Sequence, residues 1–299
     1  MDRSKAIGIL LSTVSALLYG LNAVLVKEMT LLGVEVYTIV VCRGALAALL
    51  MGCWLKLRGT ALLPEERRIC RPLFLHSFGG AGLTMLLLNL SYLYLSAGSA
   101  TTIHYLYPLM VSLGGLIFFH VPLRRSTVVI LLVVVAGVAL LAGQGGALST
   151  MGILLALGSS VTWAFHMLYL EHSRLREQPP LRLTFWQAVF SCGVGAVAAL
   201  LLREPVLASL SPQGLLLLLL STLCSLVFAN LLLNLGIRRA GAPLASVFCV
   251  FEPVGSLLFG ALFLGEFPTG LQWAGIALIL GAIFSLLCRD ARRPHSGRC

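Results

Sequence analysis

Glu252 lies inside AGAPLASVFCVFEPVGSLLFGALFLGE (240–266), an apolar stretch long enough to cross a bilayer. An ionisable side chain at the centre of a membrane helix costs about 2.5–3.5 kcal/mol, so such a group normally faces a wet cavity or a partner and marks a pathway. Pro253 follows directly, withholding a backbone N–H and leaving backbone polarity beside the acid. A carboxyl that is dry in one state and wet in another can gain and lose a proton, which makes Glu252 a proton-coupling candidate. The alternative is a permanently protonated hydrogen-bond donor. His166 and His104 can share the proton, because imidazole titrates near neutral pH.

Other polar side chains fall at helical spacing within apolar runs. Ser12, Ser15, Tyr19 and Asn22 form one stripe, and Ser159, Trp163 and His166 form a second. Asn89, Tyr92 and Ser96 align, as do Asn230 and Asn234; Thr101, His104 and Pro108; and Cys249, Glu252 and Ser256. Six polar stripes are what a water-filled central cavity needs. Tyr19, Asn22, Tyr92, His104, Tyr107, Trp163, His166, Asn230 and Glu252 are the candidate substrate-binding residues. Tyr19 and Trp163 stand out, since aromatic rings in membrane proteins otherwise gather at the interfaces. For Ser12, Ser15, Asn89 and Asn234 a hydrogen bond to a neighbouring helix serves equally well. Arg43 reads as architectural, paired with a carboxylate or carbonyls near the outer side, and Glu266 as an interface cap.

The elements that must hold these residues are membrane helices. The 299 residues are 59% hydrophobic and 11% charged, with mean hydropathy +0.97, which describes an integral membrane protein. The net charge of +10 does not point to nucleic acid, because the basic residues sit in short gaps between apolar runs. Runs near 4–26, 34–55, 72–95, 99–119, 126–143, 151–170, 182–202, 213–236, 242–264 and 270–288 each suffice to span. The first has the length of a span and recurs later, so it is read as a helix rather than a signal peptide. Of the 21 Lys and Arg, 18 fall in alternate connections, which places both termini in the cytoplasm of a multi-pass protein of the cell membrane. The eight cysteines make no CxxC and read as small hydrophobes.

The chain is duplicated. GILLSTVSALLYGLNAVLVK (8–27) lies over GILLALGSSVTWAFHMLYLE (152–171) without a gap, which sets Tyr19 on Trp163, Asn22 on His166 and Arg43 on Gln187. Tyr107-Pro108 matches Glu252-Pro253, and His120-x-Pro122 matches Glu266-x-Pro268. The expected fold is therefore all-α, ten transmembrane helices as two five-helix repeats, 7–142 and 150–288, with a basic cytoplasmic tail at 289–299. An odd number of spans per repeat makes the repeats inverted, with the binding site near the midplane between them. The fifth and tenth spans are almost purely apolar and read as scaffold or homodimer surface.

Two repeats that each open on a G-I-L-L type helix with a mid-helix aromatic, the second closing in A-S-x5-E-P-x11-G-E-x-P, resemble the EamA branch of the drug/metabolite transporter superfamily. The resemblance covers roughly residues 7 to 288. It implies a carrier for small metabolites such as amino acids, purines or amphipathic drugs, with a pocket lined by both halves and no cofactor or metal. His120 stands where the family commonly repeats the G-E of the second half, and Tyr107 stands opposite Glu252, so a symmetric acidic pair does not carry over. No G-x-S-x-G, H-E-x-x-H or P-loop argues for an enzyme. The expected activity is secondary transport by alternating access, outward in direction. A channel or uncoupled facilitator is the main alternative, and a lipid-modifying membrane enzyme a weaker one.

Overall fold

The computed structural model describes residues 3–64, 66–91, 94–95, 100, 103–121, 125–141, 149–203, 211–265 and 267–291. Among them there is helix and no strand, as a chain that must satisfy its backbone within each segment in lipid requires. In the first half, α1 (Arg3–Leu31) and α2 (Val36–Leu57) are followed by α3. The α3 rod runs from Arg67–Phe74 through a π-helical stretch, Leu75–Gly82, to Leu83–Ser91. α4 (Tyr107–Phe119) and α5 (Arg125–Leu141) complete it. In the second half come α6 (Thr150–His172) and α7 (Pro180–Leu202). Next is α8, built from Pro212–Ser221, a π-helical Thr222–Ala229 and Asn230–Ala240. α9 is in two pieces, Ala242–Phe248 and Phe251–Leu264, and α10 is Gly270–Ala291. Six helices among the described residues, α1, α2, α6, α7, α8 and α9, are long and apolar enough to cross a membrane, while 107–119, 127–140 and 270–285 are shorter apolar helices.

The packing repeats itself. α1 lies against α8 and α9, and α6 lies against α3 and α4. α2 pairs with α7, and α5 with α10. Exchanging each helix with the one five places on leaves this pattern unchanged, so the duplication seen in the residues is also a duplication of contacts. Local irregularities repeat too. The π-helical stretches fall in the third helix of each half, and the fourth helix of each half is broken just before a proline. His120 and Gly265 cap α4 and α9 in left-handed conformation, each over a glycine carbonyl five residues back. The backbone thus sets His120 opposite Gly265, one residue from the Glu266 pairing that the proline spacing suggests. Glu266 itself lies outside the described residues.

Small residues let the helices approach. A Cβ on Gly44 of α2 would lie 2.8 Å from the backbone of Cys192 in α7. Gly8 and Gly20 of α1 are held as closely, against Ala240 of α8 and the backbone of Glu252 and Ser256 in α9. Dispersion at such contacts replaces the hydrophobic effect, which does not act between helices already in lipid. Gly137 of α5 packs on Ile279 of α10 in the same way, which makes that pair a scaffold at the side of the bundle. Gly44→Leu is expected to lower the detergent melting temperature by about 5 °C or more. Gly193→Leu on α7, where nothing lies within 4 Å, should leave it unchanged; equal melting of the two variants would contradict the close contact.

Candidate functional site

The two broken helices meet. In α9, Pro253 has no N–H to offer the Cys249 carbonyl, which accepts instead from Glu252 N at 3.0 Å, while Val250 N donates to Val247 O at 3.3 Å. In α4 the corresponding turn is closed by Leu106 N donating to Ile103 O at 3.1 Å. Each break swings an aromatic or acidic side chain towards the other helix. The Tyr105 hydroxyl lies beside the Glu252 carboxyl, and the Tyr107 hydroxyl beside Cys249 Sγ. Tyr105 and Tyr107 are both 2% exposed, with ring centroids 5.7 Å apart.

Around this junction the stripes of α1 and α6 close against their partners in the opposite half. Along α1, Ser12 packs on Gly236, Ser15 Oγ donates to Ala229 O at 2.8 Å, Tyr19 Oη donates to Asn230 Oδ1 at 2.6 Å, and Ser221 Oγ donates to Asn22 Oδ1 at 2.7 Å. From Ser12 on Gly236 at one end to Asn22 on Ser221 at the other, the two helices run antiparallel. Ser12 and Ser15 are fully buried in it, so they join helices rather than line a cavity. The α6 stripe repeats the arrangement: Ser159 bonds His104 at 2.9 Å, Thr162 bonds Thr84 at 2.7 Å, and His166 packs on His76 with the rings tilted by 33° and centroids 4.2 Å apart. Gly80 in the π-helical stretch of α3 leaves the space that His166 occupies, since a Cβ there would lie 2.8 Å from it.

Trp163 connects the parts. Its ring stacks on His166 at 4.7 Å and meets Tyr107 edge-on at 6.5 Å, and Tyr107 in turn lies 5.4 Å from His104. Tyr19, Asn22, His104, Trp163 and Glu252 remain partly accessible although they sit within the apolar segments. His166 and Asn230 are buried. His166 Nε2 lies 3.3 Å from Gln187 Nε2, and Asn234 Nδ2 donates to Gln187 Oε1 at 3.2 Å and to Thr184 Oγ1 at 3.3 Å. Of the nine candidate residues the structure brings eight into this one contiguous zone; Tyr92 lies outside the described residues.

Tyr105, His76 and Gln187 are additions that the sequence reading did not single out as lining residues. Both ring nitrogens of His76, Nδ1 of His166 and Oδ1 of Asn234 are buried without a hydrogen-bond partner, an arrangement that costs free energy unless a polar group enters. Arg43 also differs from expectation. Its partner is the Ser225 hydroxyl in the π-helical stretch of α8 rather than a carboxylate or carbonyl, and it is close enough to Tyr19 and Cys224 to interact electrostatically. At the end of α6, Glu171 Oε2 accepts from Ala242 N at 2.8 Å and so caps the first piece of α9. Among the described residues no three His, Cys, Asp or Glu side chains are grouped to hold a metal ion.

A family model described as the EamA-like transporter family matches this chain twice, over residues 6–143 and 150–288. The chain belongs to the EamA-like transporter family. Its two halves are the two family repeats, and its long apolar helices fit a multi-pass membrane protein. Among curated proteins it is similar to the uncharacterized transporter YvbV of Bacillus subtilis (strain 168), at 30% identity over 110 residues. That match spans 36% of this chain and 34% of the relative's length. A solved crystal structure superposes with a TM-score of 0.82, covering 97% of this chain and 100% of its own, at 19% identity. At that identity the likeness shows the shared fold. For this EamA-like chain, Trp163→Ala and Tyr19→Ala are expected to lower transport per folded molecule about tenfold, with expression and monodispersity preserved. Undiminished transport in both variants would return the two rings to a packing role.

Proposed function

We propose that this protein is a ten-helix secondary carrier of the cell membrane that moves a small, partly apolar metabolite, such as an amino acid or amphipathic drug, by alternating access. The observation that carries the reading is the meeting of two broken helices, one from each half, with a carboxyl and a group of aromatic rings at the breaks. Irregular backbone at membrane depth is tolerated where it lines a cavity, and half-helix ends there offer backbone groups to a ligand. Tyr19, Tyr107 and Trp163 supply flat apolar walls. Asn22, His104, His166, Asn230 and Glu252 supply the few polar groups that orient a ligand between them.

Both termini are cytoplasmic in this reading, from the distribution of Lys and Arg. An odd number of spans per repeat then inverts the second half. The exchange of contacts between halves gives alternating access a physical basis: if one set of pairings opens at one face, the repeat-related set can open at the other. The direction proposed is outward. Glu252 is the proposed proton carrier, with His166, whose ring stacks on Trp163, as a second proton-binding group. The carboxyl lies beside the Tyr105 hydroxyl at the break, where a change in hydration would alter its charge state.

The test is a panel of amino acids and amphipathic amines in proteoliposomes, with and without an imposed pH gradient. Wild-type protein should accumulate at least one solute against its gradient when a pH gradient is present, and Glu252→Gln should carry that solute without responding to the gradient. Equal, gradient-independent movement by both proteins would make Glu252 a structural residue and the carrier a facilitator.

A further inference from the structure

Arg43 is 5% exposed in the middle of the bundle. Its Nη2 donates to Ser225 Oγ, its Nε has no partner, and no described carboxylate pairs with it. A guanidinium keeps its charge in proteins, so this is a buried positive charge held by one hydroxyl. Burying a charge that is neither paired nor fully hydrogen-bonded is unfavourable, which makes such a residue inside a membrane bundle a candidate for a functional role.

The repeat supplies an internal comparison. The position equivalent to Arg43 in the second half is Gln187, a neutral amide that bonds Asn234 on one side and contacts His166 on the other. An amide therefore suffices to tie the second helix of a half into the bundle, and the charge at Arg43 is not explained by that task. Glu252 does not neutralise it: the ionisable groups near Arg43 are the Tyr19 phenol and the Cys224 thiol, both of which are uncharged in the bundle.

We infer that Arg43 is the docking group for a carboxylate on the transported molecule, with Tyr19 as the adjoining wall and Ser225 fixing the guanidinium plane. This rests on the carrier reading above. The planar fork of donors on arginine matches a carboxylate in two-point geometry, which a lysine cannot reproduce. The carboxylate would relieve the uncompensated charge, and the apolar part of the same molecule would lie along Tyr19 towards Tyr107 and Trp163.

The experiment uses matched pairs of solutes, benzoate, 3-phenylpropanoate, leucine and phenylalanine, each against its primary amide. Thermal stabilisation of the full-length protein in detergent and counterflow in proteoliposomes are both read. Acids should stabilise and exchange where amides do not. Arg43→Gln should weaken the response to acids about thirtyfold or more, with Arg43→Lys intermediate. The acid–amide comparison on wild-type protein stands even if the variants fold poorly. Amides matching acids, no response to any acid, or an undiminished acid response in folded Arg43→Gln overturns the inference. Counterflow of amides without acids would do so while leaving the carrier reading intact, and absence of counterflow for every solute of either charge would count against the carrier reading as well.

Discussion

Broken backbone and an ionisable side chain cannot face hydrocarbon, and the arrangement of this molecule follows from where it hides them. α4 and α9 are each interrupted ahead of a proline, and the interruptions are placed against one another, Tyr105 beside Glu252 and Tyr107 beside Cys249. Each break is covered from the other half. α1 covers α9 and α6 covers α4, so each half shields the vulnerable helix of the other. The small residues along α1 follow from that duty: Gly20 is held against the backbone at Glu252 because the covering helix has to come close.

Polar zips along α1–α8 and α6–α3 hold the cover in place, and they do so asymmetrically. The α1 zip is a ladder of satisfied bonds ending in Tyr19–Asn230 and Asn22–Ser221. The α6 zip ends in two packed imidazoles with unpartnered nitrogens. Hydrogen bonds between membrane helices average about 0.6 kcal/mol, so a ladder of this kind sets register more than it sets stability. A zip of weak, repeated bonds can part and re-form, which a carrier needs of the contacts at either face of its site.

Much of this was legible in the sequence because membrane helices leave a strong imprint. Apolar run lengths, the gapless repeat of 8–27 on 152–171 and the Glu-Pro pair gave the helices, the duplication and one break. The stripes picked out Tyr19, Trp163 and His166 because a straight helix keeps residues three and four apart on one face. Where the helix is not straight, that spacing misleads. Tyr105 should point away from His104 and Tyr107, yet the turn at 105–106 brings it to Glu252. His76 was missed since the π-helical stretch adds residues per turn and rotates it out of the register of an α-helical stripe. Ser12 and Ser15 share a face with Tyr19, but a face does not say whether a helix or a cavity lies opposite. Arg43 was visible as a lone charge; that its repeat counterpart manages with an amide became informative only once the partners of both were known.

The central claim is that two exchangeable sets of contacts surround one site, so that one end of the bundle opens as the other closes. Spin labels at Ser4 and Arg174 report on one end of α1 and α6, and labels at Leu31 and Met151 on the other, each pair in a background with the native cysteines replaced. Distance distributions by double electron–electron resonance, in lipid at two pH values, test the claim most directly. Two populations per pair, with the Ser4–Arg174 distance shortening as the Leu31–Met151 distance lengthens, are expected. A single unchanging distance at both ends, or distances that grow and shrink together, would contradict the account.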